Sequence, residues 1–159
     1  MVVFGVDPGS TRVGFALLDD ESRNWLHVQC LELTGLPEHL RYTTIERYVS
    51  ALCDVFNPEE MAIEKLIWGK NRNNLLQISE CRGVVKLVAY KRAIKVFEYF
   101  PTEIKSFTTG YGHEEKAGIV RTLQAETGFD LLPLFDDTSD AMAIAWIHVL
   151  MRNNRAVES

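Results

Sequence analysis

The chain has few cysteines, and their arrangement excludes two common kinds of small protein. Its three cysteines, Cys30, Cys53 and Cys81, are odd in number and show no CxxC spacing. We therefore expect neither a disulfide framework nor a zinc site, and the thiols favour a reducing compartment. No apolar run approaches the roughly 20 residues of a membrane span. The opening run Met1–Val6 is too short for a signal peptide and lacks its basic flank, so we expect a cytoplasmic protein.

Positive charge is scarce overall but concentrated in one segment. The formal net charge is −5, yet residues 65–95 hold eight Lys and Arg against one acid, Glu80. Such asymmetry is a candidate footprint for a polyanion such as nucleic acid. A solvated helix face explains the same pattern equally well.

The apolar patterning predicts a single α/β domain over residues 1–153, with a frayed C-terminal tail over residues 154–159. Strands are expected over 2–6, 13–19, 25–33, 61–67 and 94–99, and helices over 36–56, 71–92, 101–107, 114–127 and 137–153. Three meander strands followed by strand–helix alternation predict a five-stranded mixed sheet with helices on both faces.

Two carboxylates end or interrupt predicted strands. Asp7 follows the first apolar strand directly, where sites gather in open α/β sheets, although an Asp before Pro-Gly is also a common turn. Glu64 lies within the fourth strand and shares a face with Ala62 and Leu66, which is a face for helix packing. A buried carboxylate there requires either a salt bridge or a bound cation.

Two further carboxylates head the last predicted helix. Asp137 and Asp140 are three residues apart on one helix face, and Ile144 and Ile147 continue the same stripe. Acids at a helix N-terminus are common through capping and the helix dipole. That explanation accounts less readily for a pair that heads a buried stripe.

The four acids are best explained together, because carboxylates converge only around something positive. Oxygen ligands without a nearby Cys or His pair favour Mg²⁺, or alternatively Mn²⁺. Two such ions stabilise the attacking and leaving oxygens of a phosphoryl displacement. The basic segment starts beside Glu64, so the pattern indicates a nuclease.

An ordered series of short motifs covers most of the chain, from Val2 to about His148. The motifs are Gly5-Val-Asp-Pro-Gly9, Ala62-Ile-Glu-Lys-Leu66 with Lys70-Asn71, Cys81-Arg-Gly83, Val96-Phe-Glu-Tyr99, Ile104-Lys105, Gly110-Tyr-Gly112 with Lys116, and Asp137-x-x-Asp-Ala-Met-Ala-Ile-Ala145. Each is weak alone, but the ordered set resembles the RuvC family of bacterial Holliday junction resolvases.

The resemblance implies an RNase H-like fold and a homodimer. It implies a Mg²⁺-dependent endodeoxyribonuclease, with two ions in each active site, that makes paired symmetric nicks across a four-way DNA junction in recombination and repair. The products would carry 5′-phosphate and 3′-hydroxyl ends. The resemblance also suggests that the protein works with a branch-migration complex of the RuvA–RuvB type.

The resemblance also assigns site residues. The family's metal-binding acids fall on Asp7, Glu64, Asp137 and Asp140, and its two functional lysines fall on Lys105 and Lys116. A lysine near the scissile phosphate can offset developing charge or hold the DNA backbone. Without the resemblance, either lysine would be interpreted as an exposed solubilising residue.

The expected DNA contacts include one departure from the family. Family members often carry an aromatic residue three positions after the Glu, where it can wedge at the junction, but here Ile67 holds that position and Trp68 follows. Trp68 either stacks on an unpaired base or belongs to an interface or core. The residues predicted to bind nucleic acid are Trp68, Lys70, Asn71, Arg72, Arg82, Lys105 and Lys116.

The predicted helix 71–92 matches the family's dimer helix. Gly83 lies in its interior and costs roughly 1 kcal/mol relative to Ala, so it requires a reason. Close approach of two helices is one reason, and accommodation of a core neighbour is another. A two-fold dimer would place its two active sites opposite two DNA strands of like polarity.

Two alternatives remain open from the sequence. One is a nuclease of the YqgF type, of the same fold, acting on structured RNA, because Gly14-Phe-Ala16 also resembles that group. The other is a non-catalytic nucleic-acid-binding module, which would have no need to keep all four acids. Among the four histidines, only His113 has a plausible place at the site; the others are expected to be structural or exposed.

Overall fold

Five strands form one mixed sheet. The structure, a computed structural model, describes residues 1–67, 72–104 and 136–157. The strands are β1 (Val2–Asp7), β2 (Arg12–Asp19), β3 (Trp25–Glu32), β4 (Glu60–Glu64) and β5 (Lys95–Tyr99). Their order in the sheet is β3-β2-β1-β4-β5. The β1–β2 and β2–β3 pairs are antiparallel, whereas β1–β4 and β4–β5 are parallel, which confirms the predicted meander and mixed sheet.

Three long helices accompany the sheet: α1 (Glu38–Phe56), α2 (Arg72–Lys91) and α3 (Asp136–Val157). The helix α1 ends at Asn57, whose left-handed conformation caps it before Pro58. Residues 101–104 form a short helical turn. The predicted helix 114–127 and the remainder of the predicted helix 101–107 lie outside the described residues. None of the helices in the described ranges combines the length and apolarity needed to cross a bilayer.

The alternating strand residues build two separate cores, one on each face of the sheet. On one face Phe4, Phe15 and Ile63 are fully buried against α1 and α2. On the other face Val3 and Ala62 are fully buried in the cluster that contains the apolar residues of α3. The predicted placement of helices on both faces is therefore confirmed.

Small residues bring α3 unusually close to the sheet. A Cβ added to Gly5 in β1 would overlap the Ala141 carbonyl oxygen and lie 2.7 Å from the Ala145 Cβ. A Cβ added to Gly14 in β2 would lie 2.5 Å from the Asp137 carbonyl carbon. These two glycines therefore allow the first turns of α3 to rest directly on β1 and β2.

The strand β4 is shorter than predicted, ending at Glu64 rather than at Ile67. The Lys65 N–H still donates to the Tyr99 carbonyl oxygen at 2.7 Å. Beyond that bond the neighbouring chain turns at Pro101 into the helical turn 101–104 and offers no further partner for pairing. The strand consequently stops with its carboxylate at the edge of the sheet.

Candidate active site

Asp7 and Glu64 end two neighbouring strands at the same edge of the sheet. The last aligned pair of the parallel β1–β4 ladder is Val6 with Ile63, so these acids are the next residues on each strand. Asp7 shares its face with Gly5, which contacts α3, and Glu64 shares its face with Ala62 in the α3 core. Both half-buried carboxylates therefore lie on the α3 face, on strands about 4.8 Å apart.

The first turn of α3 brings Asp137 to this edge. Gly14 pairs directly with Asp7 across β1 and β2, and the backbone of Asp137 rests on Gly14. Asp140 follows one turn later on the same helix face and is half-buried. All four predicted acids thus belong to elements that meet at the carboxyl end of β1.

The strands and the helix that carry these acids meet, but the four carboxylate side chains are not arranged as a complete set of metal ligands. Across residues 1–67, 72–104 and 136–157, no group of three or more His, Cys, Asp or Glu is positioned to hold a metal ion. The donor chemistry nonetheless fits a hard cation, since all four groups are carboxylates. The Oδ2 atom of Asp137 is also buried and accepts no aligned hydrogen bond from any described residue.

Arg12 is a site residue that the sequence did not reveal. Its Nε lies 3.2 Å from Oδ2 of Asp137, and the side chains of Arg12 and Asp137 are 46% and 25% exposed. Arg12 begins β2 two residues before Gly14, so both lie on the face towards α3. The contact joins two segments that are far apart in the sequence, so no local sequence pattern predicts it.

Cys30 lies beside the acids on the next strand. It pairs with Gly14 across β2 and β3, and Gly14 in turn pairs with Asp7 across β1 and β2. Burial raises the pKa of the Cys30 thiol, and the negative charge of Asp137 raises it further. The thiol is therefore protonated at neutral pH and serves as a neutral neighbour of the site rather than as a nucleophile.

The structure places Arg82 as a tie between α2 and the end of β4. Its Nε donates to the Glu64 carbonyl oxygen at 3.1 Å, and its Nη2 lies 2.7 Å from Oε2 of Glu98. Lys86 pairs with the same Glu98 carboxylate. Burial alone would raise the pKa of Glu98, but the bonds and charges of Lys86 and Arg82 outweigh it and lower that pKa.

This pairing changes the interpretation of the basic segment. The Arg82 side chain is only 13% exposed, so much of it is committed to holding the backbone that carries Glu64. Arg92 pairs with Asp54 of α1 at 3.0 Å. Part of the positive charge counted in the sequence is therefore already neutralised within the fold, and the role of Arg82 as a DNA contact stays a prediction.

An exposed aromatic residue beside Glu64 also escaped the sequence analysis. Phe100 follows β5, is 41% exposed, and lies under the Lys65 ammonium group, whose Nζ is 4.2 Å from the ring centre. Ile67, at the position where the family often has an aromatic residue, is 50% exposed. Lys65, Phe100 and Ile67 thus form a cationic and apolar surface. It adjoins the carboxylate edge, which is the end of the sheet where Asp7 and Glu64 lie.

Several predicted site residues lie outside the described part of the chain. These are Trp68, Lys70, Asn71, Lys105, Lys116 and His113. Arg72 begins α2, but its side chain is likewise outside the described part. Their assignments therefore remain predictions.

A second polar cluster occupies the opposite edge, where β4 begins. His148 is 2% exposed; its Nδ1 lies 2.6 Å from the Tyr99 hydroxyl and its Nε2 lies 2.8 Å from a Glu60 carboxylate oxygen. Desolvation lowers the pKa of His148 despite the opposing influence of Glu60, so the ring is neutral and donates to Glu60. A cavity of about 110 Å³ adjoins this cluster and includes Phe97 and Arg152 in its wall. The expectation that His148 is structural agrees with this geometry.

Comparisons with known proteins match almost the whole chain. The family model described as "Crossover junction endodeoxyribonuclease RuvC" matches residues 3–148. The crossover junction endodeoxyribonuclease RuvC of Pseudothermotoga lettingae is 35% identical over 156 residues, covering 96% of each chain. RuvC-family nucleases are metal-dependent in general.

Solved structures agree in fold with the chain. Thermus thermophilus RuvC in complex with a Holliday junction substrate superimposes with a TM-score of 0.90 at 25% identity, covering 97% of this chain and 96% of that one. The yeast mitochondrial Holliday junction resolvase Ydc2, at 15% identity and a TM-score of 0.69, covers 98% of this chain and 82% of its own and shares the fold. The predicted RNase H-like architecture is confirmed, and the chain belongs to the RuvC family of crossover junction endodeoxyribonucleases.

Proposed function

We propose that the chain resolves four-way DNA junctions by hydrolysing two phosphodiester bonds at symmetric positions. The observation that carries this proposal is the meeting of Asp7, Glu64 and the first turn of α3 at one edge of the sheet. The T. thermophilus relative with the same fold was solved with a Holliday junction substrate. The same edge would therefore receive the scissile phosphate here.

The metal proposed for this site is Mg²⁺, with Mn²⁺ as an alternative, and two ions for each active site. Asp7 and Glu64 from the sheet, with Asp137 and Asp140 from α3, would hold them. When bound, such ions lower the pKa of water and stabilise both the attacking and leaving oxygens of an in-line displacement. Since water is the nucleophile, no side chain forms a covalent intermediate with DNA.

The protein residues position the DNA around this edge. Lys105 and Lys116 are proposed to contact the phosphate and offset the charge that develops there. Trp68, Lys70, Asn71 and Arg72 follow Glu64 along the chain and would continue the DNA-contacting surface. The described end of that surface is Lys65 with the exposed Phe100 ring, on which a base can stack.

A homodimer through α2 is proposed to supply the second active site. One face of α2 is apolar and exposed: Leu76, Leu87 and Tyr90 are 69%, 53% and 57% exposed. Gly83 lies on that face, and a Cβ added there would meet no atom of the described residues within 4 Å. Packing among the described residues therefore gives no reason for this glycine, which favours close approach of a second copy. A two-fold axis would then present two sites to strands of like polarity.

Two further parts of the proposal concern the setting of the protein. We expect it to act in the cytoplasm and in concert with a branch-migration complex of the RuvA–RuvB type. Because several cations of the 65–95 segment are paired internally, affinity for DNA should depend on the remaining local patch and fall steeply with salt.

The test is cleavage of a synthetic mobile four-way junction in Mg²⁺, beside linear duplex, a DNA–RNA hybrid and structured RNA. Paired symmetric nicks on the junction alone, abolished in Asp7→Asn, would support the proposal. Cleavage of RNA or the hybrid instead would assign the chain a YqgF-like activity. Tight junction binding with no cleavage in Mg²⁺ or Mn²⁺ would make it a non-catalytic module and overturn the proposal.

A further inference from the structure

The ion pair between Arg12 and Asp137 places a fixed positive charge on a proposed metal ligand. Arg12 Nε lies 3.2 Å from Oδ2 of Asp137, and that oxygen is buried without an aligned hydrogen bond within the described ranges. The backbone of Asp137 is fixed on Gly14, so only the side chain can change partner. The guanidinium and a divalent cation would therefore compete for the same carboxylate.

We propose that Arg12 is a positioning residue that occupies the Asp137 carboxylate in the metal-free protein and must release it when metal binds. The inference rests on the proposed function, because it takes Asp137 as a metal ligand. Arg12 sets the metal affinity of the site through Asp137 and takes no part in the bond-breaking step.

The physical basis is competition for the Asp137 carboxylate between the Arg12 guanidinium, which is tethered to the chain, and a divalent metal ion, which is free to diffuse. A guanidinium keeps its charge at every accessible pH, so it repels a divalent ion that shares its carboxylate. Its side chain is nearly half exposed, and its long stem allows it to leave Asp137 without disturbing the strand. On leaving, it stays at the rim of the site, where a DNA phosphate is a matching partner.

This arrangement links metal binding to DNA binding. If a phosphate draws Arg12 away from Asp137, DNA raises the affinity for metal, and metal raises the affinity for DNA by the same factor. The free protein would then hold metal weakly and complete its site only on a substrate. Glu32, which pairs with Arg12 across β2 and β3, is a second acid near the guanidinium and would retain it partly in the free state.

The test measures Mn²⁺ binding to the full chain without DNA, by electron paramagnetic resonance of the free ion. Arg12→Gln removes the competing charge and should tighten Mn²⁺ binding about three- to tenfold, whereas Arg12→Lys, which keeps the charge, should stay within about twofold of wild type. Arg92→Gln, which breaks an ion pair with Asp54 on the other side of the sheet, is the matched control and should change nothing.

Asp137→Asn separates the two ways in which the idea can fail. If this variant binds Mn²⁺ as tightly as wild type, Asp137 is no ligand and the proposed site itself is wrong. If Asp137→Asn weakens binding but Arg12→Gln leaves it unchanged or weaker, only the role of Arg12 is overturned. Should Arg12→Gln fold poorly, Arg12→Met in the same titration must still bind Mn²⁺ more tightly than wild type.

Discussion

Gly14 lies against the backbone of Asp137, so closely that even a methyl group on Gly14 would lie 2.5 Å from the Asp137 carbonyl carbon. Gly14 is also the direct partner of Asp7 in the β1–β2 ladder. Gly14, which has no side chain, thus contacts both the end of the central strand β1 and the start of α3. The distance between the acids of the sheet and those of the helix depends on this contact.

Replacing Gly14 by alanine should damage both the fold and the site. The atoms in the way are backbone, which cannot rotate aside, so α3 must move off the sheet. We expect Gly14→Ala to lower the free energy of unfolding by about 2 kcal/mol or more, and to reduce junction cleavage further than this loss explains. Urea unfolding and nicking rates at a permissive temperature measure the two effects.

Gly83→Ala is the matched control, because its Cβ would meet nothing within 4 Å in the part of the chain that the structure describes. At protein concentrations too low for dimerisation, it should keep or raise stability, by up to about 1 kcal/mol. If Gly14→Ala unfolded at the wild-type urea concentration with full activity, the close packing of α3 would be refuted.

Arg82→Ala should be far more destabilising than Arg92→Ala. Both changes remove an ion pair, but Arg82 is 13% exposed and also bonds the Glu64 carbonyl oxygen, whereas Arg92 and Asp54 are 31% and 67% exposed. We expect a loss of about 2 kcal/mol for Arg82 and under about 1 kcal/mol for Arg92. Chemical denaturation compares them, and equal losses would rule out the tie between α2 and β4.

Leu87→Glu should separate the proposed dimer into single chains. A charge on the exposed apolar face of α2 would be buried without a partner in a two-fold interface. Val55→Glu is the control, since Val55 is 69% exposed and belongs to α1 rather than to α2. Sedimentation at micromolar concentration should show a dimer for wild type and Val55→Glu. A single 18.1 kDa species for all three, with or without junction DNA, would exclude the dimer.

His148 should make the protein less stable in mild acid. Its pKa is lowered in the folded state by burial, so the unfolded chain binds the proton more tightly. The contribution of neutral His148 is complete above the unfolded pKa of about 6.5 and is lost as pH falls through the folded pKa. One such group gives a slope of at most about 1.4 kcal/mol per pH unit.

The measurement is urea unfolding of wild type and His148→Gln between pH 5 and 8. The variant should be less stable at pH 8 but should show a shallower decline on acidification. Glu60, Arg152 and Asp20 lie around the ring and are unchanged in the variant. A wild-type protein that gained stability on acidification relative to the variant would mean that His148 is charged and ion-paired with Glu60.

Much of the fold could be predicted because it is encoded locally. The run that stops at Asp7, the alternation that puts Glu64 beside Ala62, and the spacing of Asp137 and Asp140 all depend on near neighbours. These patterns are therefore enough to predict the strands and the strand ends that carry Asp7 and Glu64. The end of β4 was predicted too late, because it depends on where the neighbouring strand turns at Pro101.

The rest could not be predicted, because it depends on contacts between distant segments. From the sequence alone, Arg82 is one more cation available to bind DNA. Only the fold shows that it is paired with Glu98 and hydrogen-bonded to the backbone of Glu64. The same holds for Arg12, whose partner Asp137 arrives with the last helix. Local patterns therefore indicated which acids are candidates for the site but not which cations are already engaged with them.

The most direct test of the account uses a supercoiled plasmid that extrudes a cruciform, incubated with the protein in Mg²⁺. Paired nicks made by two facing sites at the carboxylate edge convert the circle to linear DNA, whereas independent nicks leave open circles. The account predicts linear product from wild type, and none from Glu64→Gln at equal junction binding. Linear product from Glu64→Gln, or only open circles from wild type, would contradict it.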